Sequence, residues 1–274
     1  MMSTTYEVFQ IELDEHVATL WLNNPERRNA MGPAFWKELP AVMQELDADE
    51  RVRAVVLAAR GPHFTVGLDL KAMAGTLSGE GAGSGAAARL RMLDEIKRFQ
   101  RAITVVADCR KPVIAAVHGY CIGGGIDLIT ACDIRVASAD AIFSVRETRI
   151  AIVADVGTLQ RLPAIVGKGH VAELVYTGDD VSAQRAREIH LVNEVYADQA
   201  ATVQAARALA GRIAENSPLA VSGSKRVMAF CEGKSVEDGL QYVALWNTAF
   251  LASDDLGEAM QAFMEKRKPK FTGH

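Results

Sequence analysis

The 274-residue chain contains no CxxC pair; its four cysteines, Cys109, Cys121, Cys132 and Cys231, are scattered along it. That excludes a disulfide framework and fits a reduced, intracellular protein with buried thiols. Lysine and arginine form no basic patch, and with a net charge of −4 nothing in the composition attracts nucleic acid or an acidic membrane surface. The one basic stretch, Lys266-Arg267-Lys268-Pro269-Lys270, is short and reads as a solvated tail. No apolar run reaches membrane-spanning length. The opening MMSTTYEVFQIELDE has neither an apolar signal core nor an arginine-rich amphipathic helix, and the closing Thr-Gly-His is not a peroxisomal address. From these features a cytoplasmic location is expected.

Catalytic signatures are equally scarce. There is no GxSxG elbow, and the six histidines include no HExxH pair. Acyl transfer through serine or cysteine therefore lacks its signature, although a triad dispersed along the chain would escape such inspection. No metal-ligand spacing is present, and no metal is expected. The stretch GEGAGSG is not a dinucleotide fingerprint, because its third glycine is misplaced and no strand precedes it. No Walker lysine follows a glycine loop.

What the chain does have is a regular α/β pattern. TYEVFQIELDE and HVATLWLNN read as a β-hairpin. Pro33 opens a helix whose buried face runs through Phe35, Leu39, Val42, Met43 and Leu46. VRAVVLAA, VIAAV and IRVAS have the character of buried strands. TLSGEGAGSGAAA reads as a mobile loop, and an amphipathic helix follows from about Arg89 to Val106. From about Asp198 onward the pattern is helical. The expected organisation is an α/β body over 1–197 and a helical segment over 198–274.

One internal repeat stands out. VVLAARGPHFTVGLDL (55–70) aligns without a gap on VIAAVHGYCIGGGIDL (113–128), each copy reading as strand, glycine turn and short helix opening with a glycine and an acid. The alignment implies a stacked ββα unit used repeatedly around one continuous core. A strand that stops at a glycine turn before a helix leaves backbone N–H groups without internal partners. Val66 and Gly124 are equivalent in the repeat, so two such turns facing each other would converge two donors on one oxygen, an oxyanion hole.

An oxyanion hole serves enolate chemistry as well as acyl transfer, and the groups left to do chemistry are carboxylates. Asp127 falls in the first turn after the glycines, Glu147 just beyond the strand-like AIFSV, and Asp155 inside the apolar stretch RIAIVADVG. Desolvation there would raise a carboxyl pKa toward the range useful for proton transfer. Singly, each reads better as a helix cap or an ion-pair partner, with Arg146 and Arg149 flanking Glu147. Together, downstream of a candidate oxyanion hole, they favour function.

NNPERRNAM, HFTVGLDL, the run from GYCIGGGIDL through ACDIRVASADAIFSVRET, and SPLAVSGSK give the chain a resemblance, over nearly its full length and in order, to the enoyl-CoA hydratase/isomerase (crotonase) superfamily. Aspartate at 127, glutamate at 147, a third acid at 155 and the stretch VADVGTLQRLP are most similar to the delta(3,5)-delta(2,4)-dienoyl-CoA isomerases within it. The resemblance implies a crotonase-like spiral of ββα repeats with a helical C-terminal trimerisation region, a homotrimer or homohexamer, and an acyl-CoA thioester as substrate. It implies that Val66 and Gly124 hold the thioester oxygen, with Val66, Gly67, Leu68, Asp69 and Leu70 lining the thioester, and that Arg28 and Ala30 contact CoA. Glu147 would sit near the α-carbon and Asp155 near the distal end of the diene, with Asp127 supporting them. The implied reaction moves only protons, in fatty acid β-oxidation, and needs no cofactor beyond the CoA of the substrate. A 2-enoyl-CoA hydratase and a non-catalytic acyl-CoA-binding oligomer are the alternatives.

Overall fold

The computed structural model describes residues 5–75 and 85–274. Strands β1 (Phe9–Asp14) and β2 (Val17–Leu22) form the expected antiparallel hairpin. Onto β2 are added, all parallel, β3 (Ala54–Ala59), β4 (Val113–Val117), β6 (Ile134–Ser138) and β9 (Glu194–Tyr196). The result is a six-stranded sheet in the order β1-β2-β3-β4-β6-β9. A smaller sheet pairs β5 (Tyr120–Ile122) with β7 (Ile142–Ser144) in parallel, and β7 with β8 (Val181–Ser182) antiparallel. Single parallel bridges, Met31 to Leu68 and Thr65 to Cys121, extend this second layer back toward the N-terminus.

These layers form a spiral. Each turn runs a strand through the large sheet, bends, and crosses the second layer before the next turn begins. The repeat seen in sequence is two consecutive turns: Val55 pairs with Val113, Val56 with Ile114 and Leu57 with Ala115, the alignment's own register. In the second layer Thr65 lies opposite Cys121, two residues off that register, because four residues separate β3 from Phe64 but only two separate β4 from Tyr120. A third turn, β6 to β7, follows the same path without any glycine signal and was not legible as a repeat.

Both faces of the large sheet are covered, which is why its central strands β3 and β4 are continuously apolar rather than alternating. Val55, Leu57 and Ala59 point toward α1 (Pro33–Ala48) and α2 (Ala86–Asp108). The intervening Ala54, Val56 and Ala58 share a second core with α7 (Gln199–Ala214). Helix α1 buries the expected stripe together with Trp36. Helix α2 begins at Ala86, so Ala86–Ala88 of the expected loop are helical; alanine is the best helix former. Residues 76–84 of that loop lie outside the described residues. The remaining helices are α3 (Gly124–Thr130), α4 (Thr158–Val166), α5 (Lys168–Thr177), α6 (Ala183–Glu188), α8 (Pro218–Cys231), α9 (Val236–Phe250) and α10 (Asp254–Glu265).

Small residues set how closely α7 approaches the sheet, since Ala206, Ala210 and Ala214 are its buried stripe with Val203. Replacing Ala206, fully buried, with leucine adds volume where there is none to spare. Ala206→Leu is expected to lower the unfolding free energy by about 1–3 kcal/mol, read as a lower urea midpoint with an unchanged slope.

Candidate active site

The first two spiral turns touch through their glycines. Gly67 has a φ of +80°, and a β-carbon built there would lie 2.6 Å from Ile122 O and 3.4 Å from Gly124 N. Only glycine allows that backbone conformation and that approach together. Gly123 has a φ of +55° and caps α3, and the Glu147 carboxylate lies against it, its Oε1 at 3.4 Å from where a β-carbon would be. A side chain on Gly124 would strike Met31 Sδ, and one on Gly125 would strike Thr65. Each of the three consecutive glycines is thus fixed by a different neighbour.

A cavity of about 670 Å³ opens at this contact. Val66, Gly67, Leu68 and Leu70 form one edge, and Tyr120, Ile122, Gly123, Gly124 and Asp127 the floor. Glu147 stands on the 3₁₀ turn Glu147–Ile150, and Asp155 precedes α4. Trp36, Met92, Ile96 and Phe99, from α1 and α2, complete an apolar wall that sequence reasoning did not assign to the site. Its sequence signal was an amphipathic helix, which does not distinguish a face packed on core from one lining a cavity. A second cavity of about 750 Å³ lies among α7 to α10, but its acids are engaged: Asp133 with Lys225, and Asp255 with Ser217 and the amide of Thr272.

The amide of Gly124 is in the first turn of α3, where no intrahelical acceptor exists. The Val66 amide donates a long bond, 3.3 Å, to Arg28 O. Two expected substrate contacts fall elsewhere. Asp69 is turned away from the acyl cavity: its Oδ1 accepts from Ala72 N at 2.9 Å and its Oδ2 is 3.4 Å from Arg27, so it stabilises the 69–72 turn. Ala30 shares with Asp69 a separate cleft of about 390 Å³ beside the start of α1. Arg28 lines the main cavity and is exposed.

Three carboxyls meet here, and among the described residues none of them has an ion-pair partner. Asp127 is 1 % exposed and its Oδ1 accepts the Thr158 amide at 2.5 Å, capping α4 from across the site. Burial pushes its carboxyl up to about 6 against that hydrogen bond. Glu147 has one carboxylate oxygen, Oε2, buried with no hydrogen-bond partner. Burial, reinforced by the charge of Asp127, raises it to about 7. Burial also raises Asp155, whose backbone carbonyl accepts from Gln100 at 2.8 Å. The flanking arginines do not pair with Glu147 as its neighbours in sequence suggest: Arg146 pairs with Asp180 and Arg149 with Asp179. A backbone donor, a carboxyl poised near neutrality and a second raised carboxyl along an apolar wall can move a proton between two carbons of one bound chain.

The family described as enoyl-CoA hydratase/isomerase matches residues 12–274. A peroxisomal delta(3,5)-delta(2,4)-dienoyl-CoA isomerase of Arabidopsis thaliana is 45% identical over 97% of this chain and 96% of its own length. A mitochondrial enzyme of the same name from Dictyostelium discoideum is 42% identical over 98% and 92%. The solved enoyl-CoA hydratase of Bacillus anthracis superposes with a TM-score of 0.88 at 31% identity, covering 98% of this chain and 100% of that one. The spiral is the crotonase-like fold. The cytoplasmic expectation is overturned, since these isomerase relatives are peroxisomal and mitochondrial.

The raised Glu147 carboxyl has a consequence for stability. Its folded pKa lies above its ordinary 4.5, so the folded protein holds the proton more tightly than the unfolded chain, and stability falls as pH rises from about 4.5 to about 7. Glu147→Gln removes that dependence. The variant is expected to match wild type near pH 4.5 and to exceed it above pH 7 by roughly 3 kcal/mol at most, measured by urea unfolding across that range.

Proposed function

The chain belongs to the enoyl-CoA hydratase/isomerase family, and we propose that it is an isomerase that converts 3,5-dienoyl-CoA thioesters to 2,4-dienoyl-CoA in fatty acid β-oxidation. The observation that carries this reading is the Glu147 carboxylate, one oxygen of it buried without a partner, set against the Gly123–Gly124 turn, with a second raised carboxyl, Asp155, in the same apolar cavity. The isomerases to which the chain is similar over nearly its full length support it.

In this reading the thioester carbonyl rests at the meeting of the two turns, its oxygen held by the amides of Val66 and Gly124. Polarising that oxygen acidifies the α C–H, and a pair of aligned donors contributes most when the negative charge develops. Glu147 takes the proton from C2. The electron pair left behind enters the conjugated system, placing the oxyanion at the carbonyl and carbanion character at C6. Asp155, protonated, delivers its proton to C6, so the double bonds settle at 2 and 4. One C–H bond is broken and one formed, with no net change in oxidation state, and the substrate's CoA is the only coenzyme the scheme uses. The proton on Glu147 must return to Asp155 before the next turnover, by solvent or across the shared site. Asp127 acts through charge and position: one of its oxygens is committed to Thr158, and its negative charge raises Glu147. The apolar wall of Met92, Ile96 and Phe99 accommodates the diene tail and excludes the water that a hydratase would need.

Self-association belongs to α8–α10. Met228, Leu245, Phe263 and Met264 are 66 %, 70 %, 85 % and 75 % exposed, a concentration of large apolar side chains that a lone chain does not present to water without a partner. Light scattering is expected to give three or six times the 29.6 kDa chain mass, and a monomer at micromolar concentration overturns this.

The decisive assay mixes the protein with synthetic 3,5-dienoyl-CoA. Long-wavelength absorbance is expected to rise as conjugation with the carbonyl forms, while crotonyl-CoA absorbance stays constant. Glu147→Gln and Asp155→Asn are each expected to lower kcat by about 10²–10⁴-fold. Bleaching of crotonyl-CoA without the dienoyl signal would make the protein a hydratase. Binding without turnover of either would make it a non-catalytic acyl-CoA carrier, and an Asp155→Asn rate equal to wild type would remove Asp155 from the chemistry.

A further inference from the structure

Glu147 is bracketed in sequence by two arginines, yet neither guanidinium pairs with its carboxylate, and the reason lies 34 residues beyond Arg146 and 30 beyond Arg149. Helix α5 ends at Gly178, which adopts a φ of +63° and turns the chain back beside the 3₁₀ turn. Two aspartates follow, one for each arginine. Arg149 lies flat on Gly178, where a β-carbon would come within 3.0 Å of its Cγ, donates to Thr177 O at 3.0 Å and pairs with Asp179. Arg146 donates from Nε to Ser144 Oγ at 3.2 Å and pairs through Nη2 with Asp180. Ser144 is itself fixed to Gly178 O at 2.9 Å. Arg146 and Glu147 line the same cavity, so a released guanidinium would have a path to the carboxylate.

We propose that Asp180 is a positioning residue for the reaction: by pairing with the Arg146 guanidinium at the cavity rim, it keeps that cation off the Glu147 carboxylate, which is left without a counter-ion and so the stronger base. The proposal rests on reading Glu147 as the base. Both half-exposed ion pairs contribute little to stability, so their worth is in where they place charge. The other charges around Glu147 leave the same opening. Asp127 from α3 and Asp155 ahead of α4 raise its carboxyl. Arg161 of α4 is spent on Thr104 Oγ1 and Val156 O, and Arg28 stands across the cavity. On α5, packed against the 3₁₀ turn, Glu173 lies 3.7 Å from His170 and 3.8 Å from Arg185, and the exposed Lys168 begins the helix.

Asp180→Asn removes one negative charge and frees one positive charge beside Glu147, and both changes favour the carboxylate. Its titration is expected to fall by about one pH unit, the low end of what an adjacent guanidinium does to a carboxyl. The carboxylic C=O stretch of Glu147, isolated by infrared difference against Glu147→Gln, reads this without any substrate. The acid limb of kcat on 3,5-dienoyl-CoA is expected to move down by the same amount. Asp180→Glu, which keeps the charge, is expected to hold both near wild type. In an Arg146→Gln background, Asp180→Asn is expected to leave only the small effect of the lost negative charge. An unchanged Glu147 titration in Asp180→Asn, or an equal shift with Arg146 already removed, overturns the proposal. Should the infrared titration shift while no variant isomerises the dienoyl thioester, the positioning role stands and the assigned reaction fails. Asp180→Gln repeats the comparison should Asp180→Asn not fold.

Discussion

The site depends on one close approach of backbone to backbone. The segment carrying Val66 and Gly67 passes so near the Ile122–Gly124 turn that Gly67 has no room for a side chain against Ile122 O. Without that approach the two spiral turns would be separate loops with separate amides. With it, the Gly124 amide and the Val66 segment share one cavity edge. The cost is conformational, since glycine loses more freedom on folding than any other residue. It is offset by the continuous core that the stacked turns bury on both faces of the large sheet.

The same rigidity makes the electrostatics possible. Three carboxyls within one partly desolvated cavity repel one another and form no ion pair among the described residues, an arrangement a softer fold would relax by moving a cation in or the acids out. Here the cations are held elsewhere by specific acceptors. Arg161 is held by Thr104 and Val156, Arg149 by Asp179 and Thr177, and Arg146 by Asp180 and Ser144. Asp127 accepts the Thr158 N–H, which favours its ionised form and works against its deep burial, and its carboxyl is raised to about 6 where that of Glu147 is raised to about 7. Burial thus brings both carboxyls into the range useful for proton transfer near neutral pH.

Much of this was legible in the chain. The hairpin, the buried stripe of α1 and the pairing of Val55 with Val113 follow from local periodicity and from a repeat whose register the sheet keeps. The slip of two residues in the second layer was not, because an ungapped alignment hides turns of unequal length that compensate later. The third spiral turn carries no glycines and left no repeat to find. Asp69 aligns with Asp127 in the repeat, yet one caps a local turn and the other caps a distant helix, since the 66–72 segment curls back on itself while α3 continues into the core. Equivalent positions in a repeat share backbone direction, not partners.

The flanking arginines show where sequence reasoning ends. A carboxylate with an arginine on either side invites the reading that the three neutralise each other, and proximity along the chain alone supports it. On a 3₁₀ turn, however, successive side chains diverge, so adjacency in sequence is a poor guide to contact. What decides the pairing is the Gly178-Asp179-Asp180 turn, brought alongside by the packing of α5, where a left-handed glycine presents two carboxylates to the two guanidiniums. The result inverts the local expectation: both guanidiniums pair with these aspartates and leave Glu147 out of any ion pair. Which charges a carboxylate meets can thus be decided by other acids, at positions that only the fold makes neighbours.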